Sequence, residues 1–443
     1  MNCIFISIFK NEKYVDMFYL LLESIFIYGN IDDNTHILVY TSTPFMNVIK
    51  SSHLYNEKII FEINDTYNTI DLACKSRLDL FKLSAISNYN KILYLDTDII
   101  IKDDINKVFN VCKEDIMYVL EEGSIDSDTD FWGKSLFGNE IHNYQDKTSF
   151  TSGILLFNNC EKIKWLFNKI IEDMNIRHHN FHDQPFIVYN AFTYNLYDNK
   201  ILKSLVINNN YNVHSNKIIY HFPGKPGVHQ HKLHYMIKFL NELKDYTIYN
   251  NIYRTKKYIH KHLADIINNS GEQIDETSYM LYDTNMYSDD VLNKTKNISN
   301  LALNKNIKHV MVIGFNNGFS TLLMLLTNPD LNITCYDVGK HSYTIPCFEK
   351  LKETFGDRIN IVIGNISETL PNINTQYDLI YIDGGHTTEV AENDINNCYR
   401  LSKNNTILLM DHYDLPQLRA LWDTYDLKPL HITPTKKKNE TKL

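Results

Sequence analysis

Apolar residues in this chain gather into short runs, and the segments between them carry apolar positions at helical spacing. Residues 3–8, 36–40, 58–63 and 92–95 are such runs, and they read as buried strands. Residues 15–28 place Phe18, Leu21, Leu22 and Ile25 on one helical face, and Gly29-Asn30 stops the helix. Residues 77–86 read as a second helix whose apolar side chains would cover a sheet. Strand and helix alternate, which predicts an α/β domain with a mainly parallel sheet. A strand at 151–157 and a helix at 162–174 follow. Asp183-Gln184-Pro185 then opens another helix, with Asp183 as its cap and Pro185 in its first turn. A short strand at 218–221 and a helix at 233–243 complete this half. Residues 246–253 read as polar and irregular.

A second alternation begins further on. Strands are expected at 310–313, 333–336, 359–363, 379–382 and 406–410, with helices at 320–326, 348–355 and 390–401. The fold class is therefore α/β with two doubly wound domains. Their expected extents are 1–250 and 275–443, joined by a linker at 251–274. There is no internal repeat. The tail Lys436-Lys437-Lys438-Asn439-Glu440 reads as disordered.

Composition narrows the class. A length of 443 residues suits two or three domains, and 44% hydrophobic with 22% charged residues is ordinary globular protein. A formal net charge of −9 argues against a nucleic-acid partner. The 7 cysteines form no Cys-x-x-Cys pair. Cys3, Cys74, Cys160 and Cys335 sit among apolar residues, as reduced core thiols do, so a cytoplasmic location is expected. The apolar run at 1–9 reads as a first strand rather than a signal peptide, and no run is long and apolar enough to span a membrane.

Two stretches carry chemistry. In Leu93-Tyr94-Leu95-Asp96-Thr97-Asp98, two carboxylates follow an apolar strand at a spacing that puts both on one side. Such a pair needs neutralising, and a hard divalent cation does this while also gripping a diphosphate. A plain surface turn is the competing reading. In the second half, Gly314-Phe315-Asn316-Asn317-Gly318 turns a strand into a helix, and Asp337 ends the next strand. Glycines there let a nucleoside or carboxylate approach the backbone, and a strand-end acid at that spacing suits a ribose.

The motifs of the first half occur in a telling order: Lys82-Leu83, Leu93 to Asp98, Ser152-Gly153 on a strand, Asp183-Gln184 at a helix start, and His221-Phe222-x-Gly224. In this, residues 1–243 resemble the glycogenin-like family 8 of retaining glycosyltransferases, which have a GT-A fold. The resemblance implies a UDP-sugar donor, a glycan or glycoprotein acceptor, and Mn²⁺ held by Asp96, Asp98 and His221. It implies further that Lys82, Ser152, Gly153, Gly224 and Lys225 line the donor, and that Asp183 and Gln184 face the transferred sugar. One departure stands out. The family pattern is His-Phe-x-Gly-x-x-Lys-Pro-Trp, whereas Lys225-Pro226 here follows Gly224 directly and Gly227 replaces the tryptophan. Lys232 is then an alternative to Lys225.

Residues 275–431 carry Ile382-Asp383-Gly384-Gly385-His386, Met410-Asp411-His412 and Gly364-Asn365. With these motifs they resemble class I S-adenosylmethionine-dependent methyltransferases of Rossmann-like fold, in particular a small O-methyltransferase-like group. The resemblance implies S-adenosylmethionine bound by Gly314, Gly318, Asp337, Asn365 and Asp383. By analogy with sugar O-methyltransferases, Asp383, Asp411 and His412 would hold a metal such as Mg²⁺, and His386 would deprotonate a sugar hydroxyl. Val312 stands where the family has an acidic residue for the donor's amino group. The readings that follow are a bifunctional glycan-assembly enzyme, a monofunctional glycosyltransferase with a methyltransferase-like binding module, and a non-catalytic glycan-binding protein.

Overall fold

A computed structural model describes residues 1–209, 211–223, 229–272, 289–385, 387–413, 415–427 and 430. The chain divides into two compact units, Met1–Leu243 and Lys244–Leu443.

Among the described residues the first unit has ten strands: β1 Asn2–Ile8, β2 Thr35–Thr41, β3 Ile59–Ile63, β4 Lys91–Leu95, β5 Ile99–Ile101, β6 Met117–Ser124, β7 Thr148–Asn158, β8 Tyr197–Asp198, β9 Val206–Asn208 and β10 Ile219–His221. The main sheet runs β3-β2-β1-β4-β7-β6-β8. Its first four strands are parallel, but β7 lies antiparallel between β4 and β6. The sheet is mainly parallel, as expected, with β7 its antiparallel member. β1 and β4 read as continuous apolar runs because both of their faces are covered. Phe5, Tyr94 and Phe157 face one side, while Ile4, Leu93 and Leu156 meet Phe18, Leu21 and Leu22 on the other. Full burial of such a side chain is worth about 1.5–3 kcal/mol.

The helix Glu12–Tyr28 supplies that second layer. Asn11 caps its start by accepting from the Lys13 amide, and Asn30, at φ 50°, carries the chain away from its end. Residues 77–86 depart from expectation. They form two 3₁₀ segments, Ser76–Lys82 and Ser84–Asn88, interrupted where Leu83 adopts extended backbone (ψ 138°) and buries its side chain. Three residues per turn then stack position i on i+3, which brings Lys82 onto Asp79.

A small second sheet, β5-β10-β9, decides where the chemistry goes. β10 pairs antiparallel with β5, and His221 lies opposite Ile99. The turn that carries Asp96 and Asp98 is thereby pinned beside the end of β10. The Phe222 amide donates to the Asp98 carbonyl at 2.9 Å, and the Asp96 amide to the Gly153 carbonyl at 2.9 Å.

The second unit has β11 His309–Ile313, β12 Asn332–Asp337, β13 Ile359–Ile363, β14 Tyr377–Ile382 and β15 Ser402–Met410. They form a 5-stranded sheet in the order β13-β12-β11-β14-β15, with every pair parallel. Strand order reverses between β11 and β14, so ligands are expected at the carboxyl ends of those two strands. Residues 246–253, expected to be irregular, lie within the helix His229–His262, inside which the division between the units falls. Ile248, Ile252 and Ile259 are buried at helical spacing along it. The polar residues between them hide that period in the sequence. No helix among the described residues is long and apolar enough to cross a membrane. The proposed tail at 436–440 lies outside the described residues.

Candidate functional site

Asp96, Asp98 and His221 converge, their ligand-capable atoms all within 4.8 Å of one another. His221 Nε2 stands 3.4 Å from Asp98 Oδ1, and both side chains are buried. The other ring nitrogen, Nδ1, lies 2.8 Å from the Asn208 amide oxygen. An amide oxygen only accepts, so Nδ1 carries the proton and Nε2 turns its lone pair towards the carboxylates. Glu122 lies behind this pair with Thr151 and Asn208. Burial raises its carboxyl above the ordinary range, with His221, Thr151 and Asn208 opposing.

The group fits a divalent ion on three counts. Asp98 Oδ1 is buried without a hydrogen-bond partner. A Cβ at Gly153 would come within 2.9 Å of Asp96 Oδ2 and 2.9 Å of the His221 ring, so only glycine leaves the ligand atoms their room. Two carboxylates and an imidazole form a donor set suited to Mn²⁺. Lys232 adds a cation, its Nζ 2.6 Å from Asp98 Oδ2. Burial works against the Asp98 charge, but the Lys232 ammonium opposes it and the carboxyl lies well below its usual range.

Arg77 is the functional side chain that sequence reasoning missed. Its Nε is 2.9 Å from Asp183 Oδ2, and its Nη1 is 3.3 Å from Asp96 Oδ1. Nη1 also donates to the Ser152 carbonyl at 2.7 Å, and the guanidinium lies over the Tyr94 ring at 4.8 Å. The Tyr94 hydroxyl in turn donates to Asp96 Oδ1 at 2.5 Å. One planar cation thus fixes two carboxylates from distant segments, which suits Arg rather than Lys. Burial pushes the Asp183 carboxyl above its ordinary range, with Arg77 opposing and Asp96 reinforcing the shift.

Asp183 stands at the start of the helix Gln184–Thr193, but its side chain makes no cap hydrogen bond; its carboxylate turns to Arg77 instead. The Gln184 amide is taken up by β7. Its Oε1 accepts from the Ser152 amide at 2.7 Å, and its Nε2 donates to the Phe150 carbonyl at 2.9 Å. These contacts fall where the pairing of β6 with β7 shifts register, so Gln184 replaces missing ladder bonds beside Gly153. Lys82 is exposed and pairs with Asp79 at 2.6 Å. Gly224 and Lys225 lie outside the described residues.

The second unit gathers a similar set at its strand-order reversal. Asp383 follows β14, Asp411 and His412 follow β15, and their ligand-capable atoms lie within 4.8 Å of one another. His412 Nε2 is 3.9 Å from Asp383 and 3.7 Å from Asp411. The Tyr381 hydroxyl lies 3.0 Å from Asp383 Oδ2 and 3.3 Å from Asp411 Oδ2. Lys294 inserts its ammonium between the carboxylates, 3.2 Å from Asp383 Oδ2 and in direct contact with Asp411 Oδ2. Burial pushes Asp383 up to about 6, with Lys294 opposing and Asp411 adding. Burial also works against the Asp411 charge, but Lys294 prevails and the carboxyl lies below its ordinary value. The fit to a metal differs from that of the first cluster, because the central position already holds a cation.

Gly314 and Gly318 take left-handed backbone, at φ 88° and 81°. A Cβ on Gly314 would strike the Asp383 carbonyl oxygen, so this glycine lets β11 and β14 close at their ends. Asp337 is buried, and its carboxylate accepts from the backbone amides of Phe315 at 2.7 Å, Asn316 at 2.9 Å and Gly339 at 2.7 Å. It therefore holds the glycine turn in place. Asn365 caps the short helix after β13, accepting from the Ser367 amide at 3.1 Å. Val312 is fully buried in β11. His386 lies outside the described residues.

Comparison with known proteins follows this division. The family model described as Glycosyl transferase family 8 matches residues 32–218. The one described as Methyltransferase domain matches residues 311–413. No curated protein matches the chain. Among solved structures, the apo bifunctional glycosyltransferase WbbM is 16% identical with a TM-score of 0.41. That match covers 54% of this chain and 49% of WbbM, so this chain spans about half the length of that relative. The galactosyltransferase LgtC, in complex with donor and acceptor sugar analogues, is 13% identical with a TM-score of 0.39, covering 55% of this chain and 96% of that one. A putative caffeoyl-CoA O-methyltransferase from Staphylococcus aureus is 19% identical with a TM-score of 0.25, covering 37% of this chain and 72% of that one.

Proposed function

We propose that this chain, a glycosyl transferase family 8 domain followed by a methyltransferase-family domain, is a bifunctional enzyme of glycan assembly. The first unit transfers a sugar from a UDP donor to a glycan or glycoprotein acceptor. The second uses S-adenosylmethionine to methylate a sugar hydroxyl. The observation that carries the reading is the buried, unpartnered Asp98 Oδ1 facing His221 Nε2 across Gly153.

In the first unit Asp96, Asp98 and His221 hold the ion. A bound Mn²⁺ supplies Lewis-acid stabilisation for the leaving diphosphate. Asn208 fixes the His221 tautomer, so its lone pair is ready before any ligand arrives. Arg77 locks Asp183 and Asp96 in place, and Asp183 is the side chain that faces the transferred sugar. Gln184 acts through the backbone of Ser152 and Gly153, which line the donor. Lys82, Gly224 and Lys225 complete the donor site on this reading. Retention of anomeric configuration follows the family resemblance.

In the second unit the turn Gly314–Gly318 receives the methyl donor, whose sulfonium supplies the methyl group. Asp337 sets that turn, Asn365 and Asp383 line the site, and His386 takes the hydroxyl proton. Two observations favour the rival in which this unit only binds a ligand. Val312 is sealed in the core where an acid would hold the donor's ammonium, and Asp337 is already occupied by three backbone amides. The 7 free cysteines support a reducing, cytoplasmic setting.

Mass spectrometry after incubation with UDP-sugars, Mn²⁺ and S-adenosylmethionine tests both halves. Release of a free hexose names the donor even without an acceptor, and the mass gain of one methyl group in place of a hydrogen on an added glycan reports methylation. A chain that neither hydrolyses any UDP-sugar nor binds UDP with Mn²⁺ overturns the first half. A chain that shows no saturable binding of S-adenosylhomocysteine overturns the second.

A further inference from the structure

Two partly buried carboxylates side by side must be neutralised, and the two units do this differently. In the first cluster Lys232 touches only Asp98, through Oδ2. Asp98 Oδ1 stays without a hydrogen bond, and Asp96 is held from behind by Arg77 and Tyr94. In the second cluster Lys294 reaches in from the helix Asp289–Ala302 and contacts both carboxylates at once. The oxygens it meets, Oδ2 of Asp383 and Oδ2 of Asp411, are also the ones that the Tyr381 hydroxyl approaches. A divalent ion would need those oxygens at about 2.0–2.6 Å, which is the space the ammonium fills. The Lys294 side chain is 23% exposed, so the ammonium is enclosed rather than a passing surface contact.

We propose that Lys294 is the resident cation of the Asp383–Asp411–His412 cluster, so that this cluster is closed to divalent metal and works without one. The ammonium neutralises the acid pair and cross-links the ends of β14 and β15 to the helix Asp289–Ala302. Asp383 and Asp411 then meet a ligand as hydrogen-bond acceptors of fixed orientation. The proposal rests on the cluster's geometry and not on the methyl-donor reading, so either can fail without the other.

Mn²⁺ alone is the probe, counted by the loss of free-ion EPR signal on the full chain. Asp98→Asn removes the first site and leaves the second as the only cluster in question. This variant should bind no Mn²⁺ at millimolar concentration. Adding Lys294→Met should create one bound Mn²⁺ per chain, and a further Asp383→Asn should remove it again. Lys294→Arg should keep the cluster closed. Mn²⁺ bound by Asp98→Asn alone, and lost with Asp383→Asn, would overturn the proposal. A folded Lys294→Met chain that gains no ion would overturn it as well. Should Lys294→Met not fold, the Asp98→Asn chain decides: no bound Mn²⁺ supports the proposal, and a bound Mn²⁺ that is lost with Asp383→Asn defeats it.

Discussion

Each unit brings two aspartates and a histidine together at strand ends, yet the two groups face opposite electrostatic situations. In the first, the permanent cations stand around the edge: Arg77 behind Asp96 and Asp183, and Lys232 on one oxygen of Asp98. The centre is left to ligand atoms. In the second, the cation is at the centre, and the histidine stands 3.9 Å and 3.7 Å from its neighbours. The same three residue types at the same kind of strand end do not amount to the same site. What separates them is where the nearest lysine reaches.

The largest effect should come from Asp98→Asn, which is expected to abolish Mn²⁺-dependent UDP binding and donor hydrolysis, whereas Asp383→Asn should leave both unchanged. Calorimetry with UDP and Mn²⁺ on the two variants reads this, and equal losses in both would erase the contrast. Next is Arg77→Met. It leaves Asp183 buried without its partner, at an expected loss of about 3–5 kcal/mol of stability in urea unfolding. Replacing Asp183 with Asn in the same chain should recover part of that loss, because the uncompensated charge is gone. If the two substitutions simply add, Arg77 is not the counterion of Asp183.

A smaller effect is expected from Asn208→Ala. It frees the His221 tautomer and should weaken Mn²⁺ binding by about 10–100-fold while leaving the fold intact. An unchanged affinity would mean that the ring is oriented by packing alone. The smallest effect is a pH dependence confined to the second unit. Asp394 is buried against Gly384 with neither oxygen hydrogen-bonded, and burial pushes its carboxyl from 3.8 up to about 7. The folded state therefore holds a proton that the unfolded state has released. Stability from this residue is full below about 3.8, falls as pH rises towards about 7, and stays low above. Asp394→Asn should flatten that slope in thermal melts across this range; a slope identical to wild type would assign it elsewhere.

How much of this was legible in the sequence depended on the range of the physics involved. β1 to β4, β7, β10 and the strands of the second unit were readable because an apolar run needs no partner to be recognised, whereas β5, β6, β8 and β9 went unassigned. Asp96 and Asp98 were readable for the same reason: a pair of charges directly after such a run stands out. Arg77 was not. It lies in a 3₁₀ segment whose period of three matches neither a helix nor a strand, and its role exists only through Asp183 and Ser152. Gln184 was noticed, but its task of filling a register shift in β7 depends on a strand pairing that no local pattern encodes. Asp337 was noticed as a strand-end acid, and its use in holding the glycine turn needed the backbone geometry. Lys294 shows the limit most clearly. Nothing in the sequence sets it apart from Lys296 on the same helix, and only tertiary folding brings it to two carboxylates.

The pairing of β5 with β10 also sets an order in time. During synthesis Asp96 and Asp98 leave the ribosome long before His221, which β10 must carry back to lie opposite Ile99. Closing so long a loop costs entropy before the pairing repays it, which makes non-local strand pairing slow. A nascent first unit therefore presents two acids beside a finished apolar strand with neither the imidazole nor Lys232 to complete the set. On the proposed reading the ligand set is complete only once β10 has paired, and a chain ending before His221 should bind no Mn²⁺.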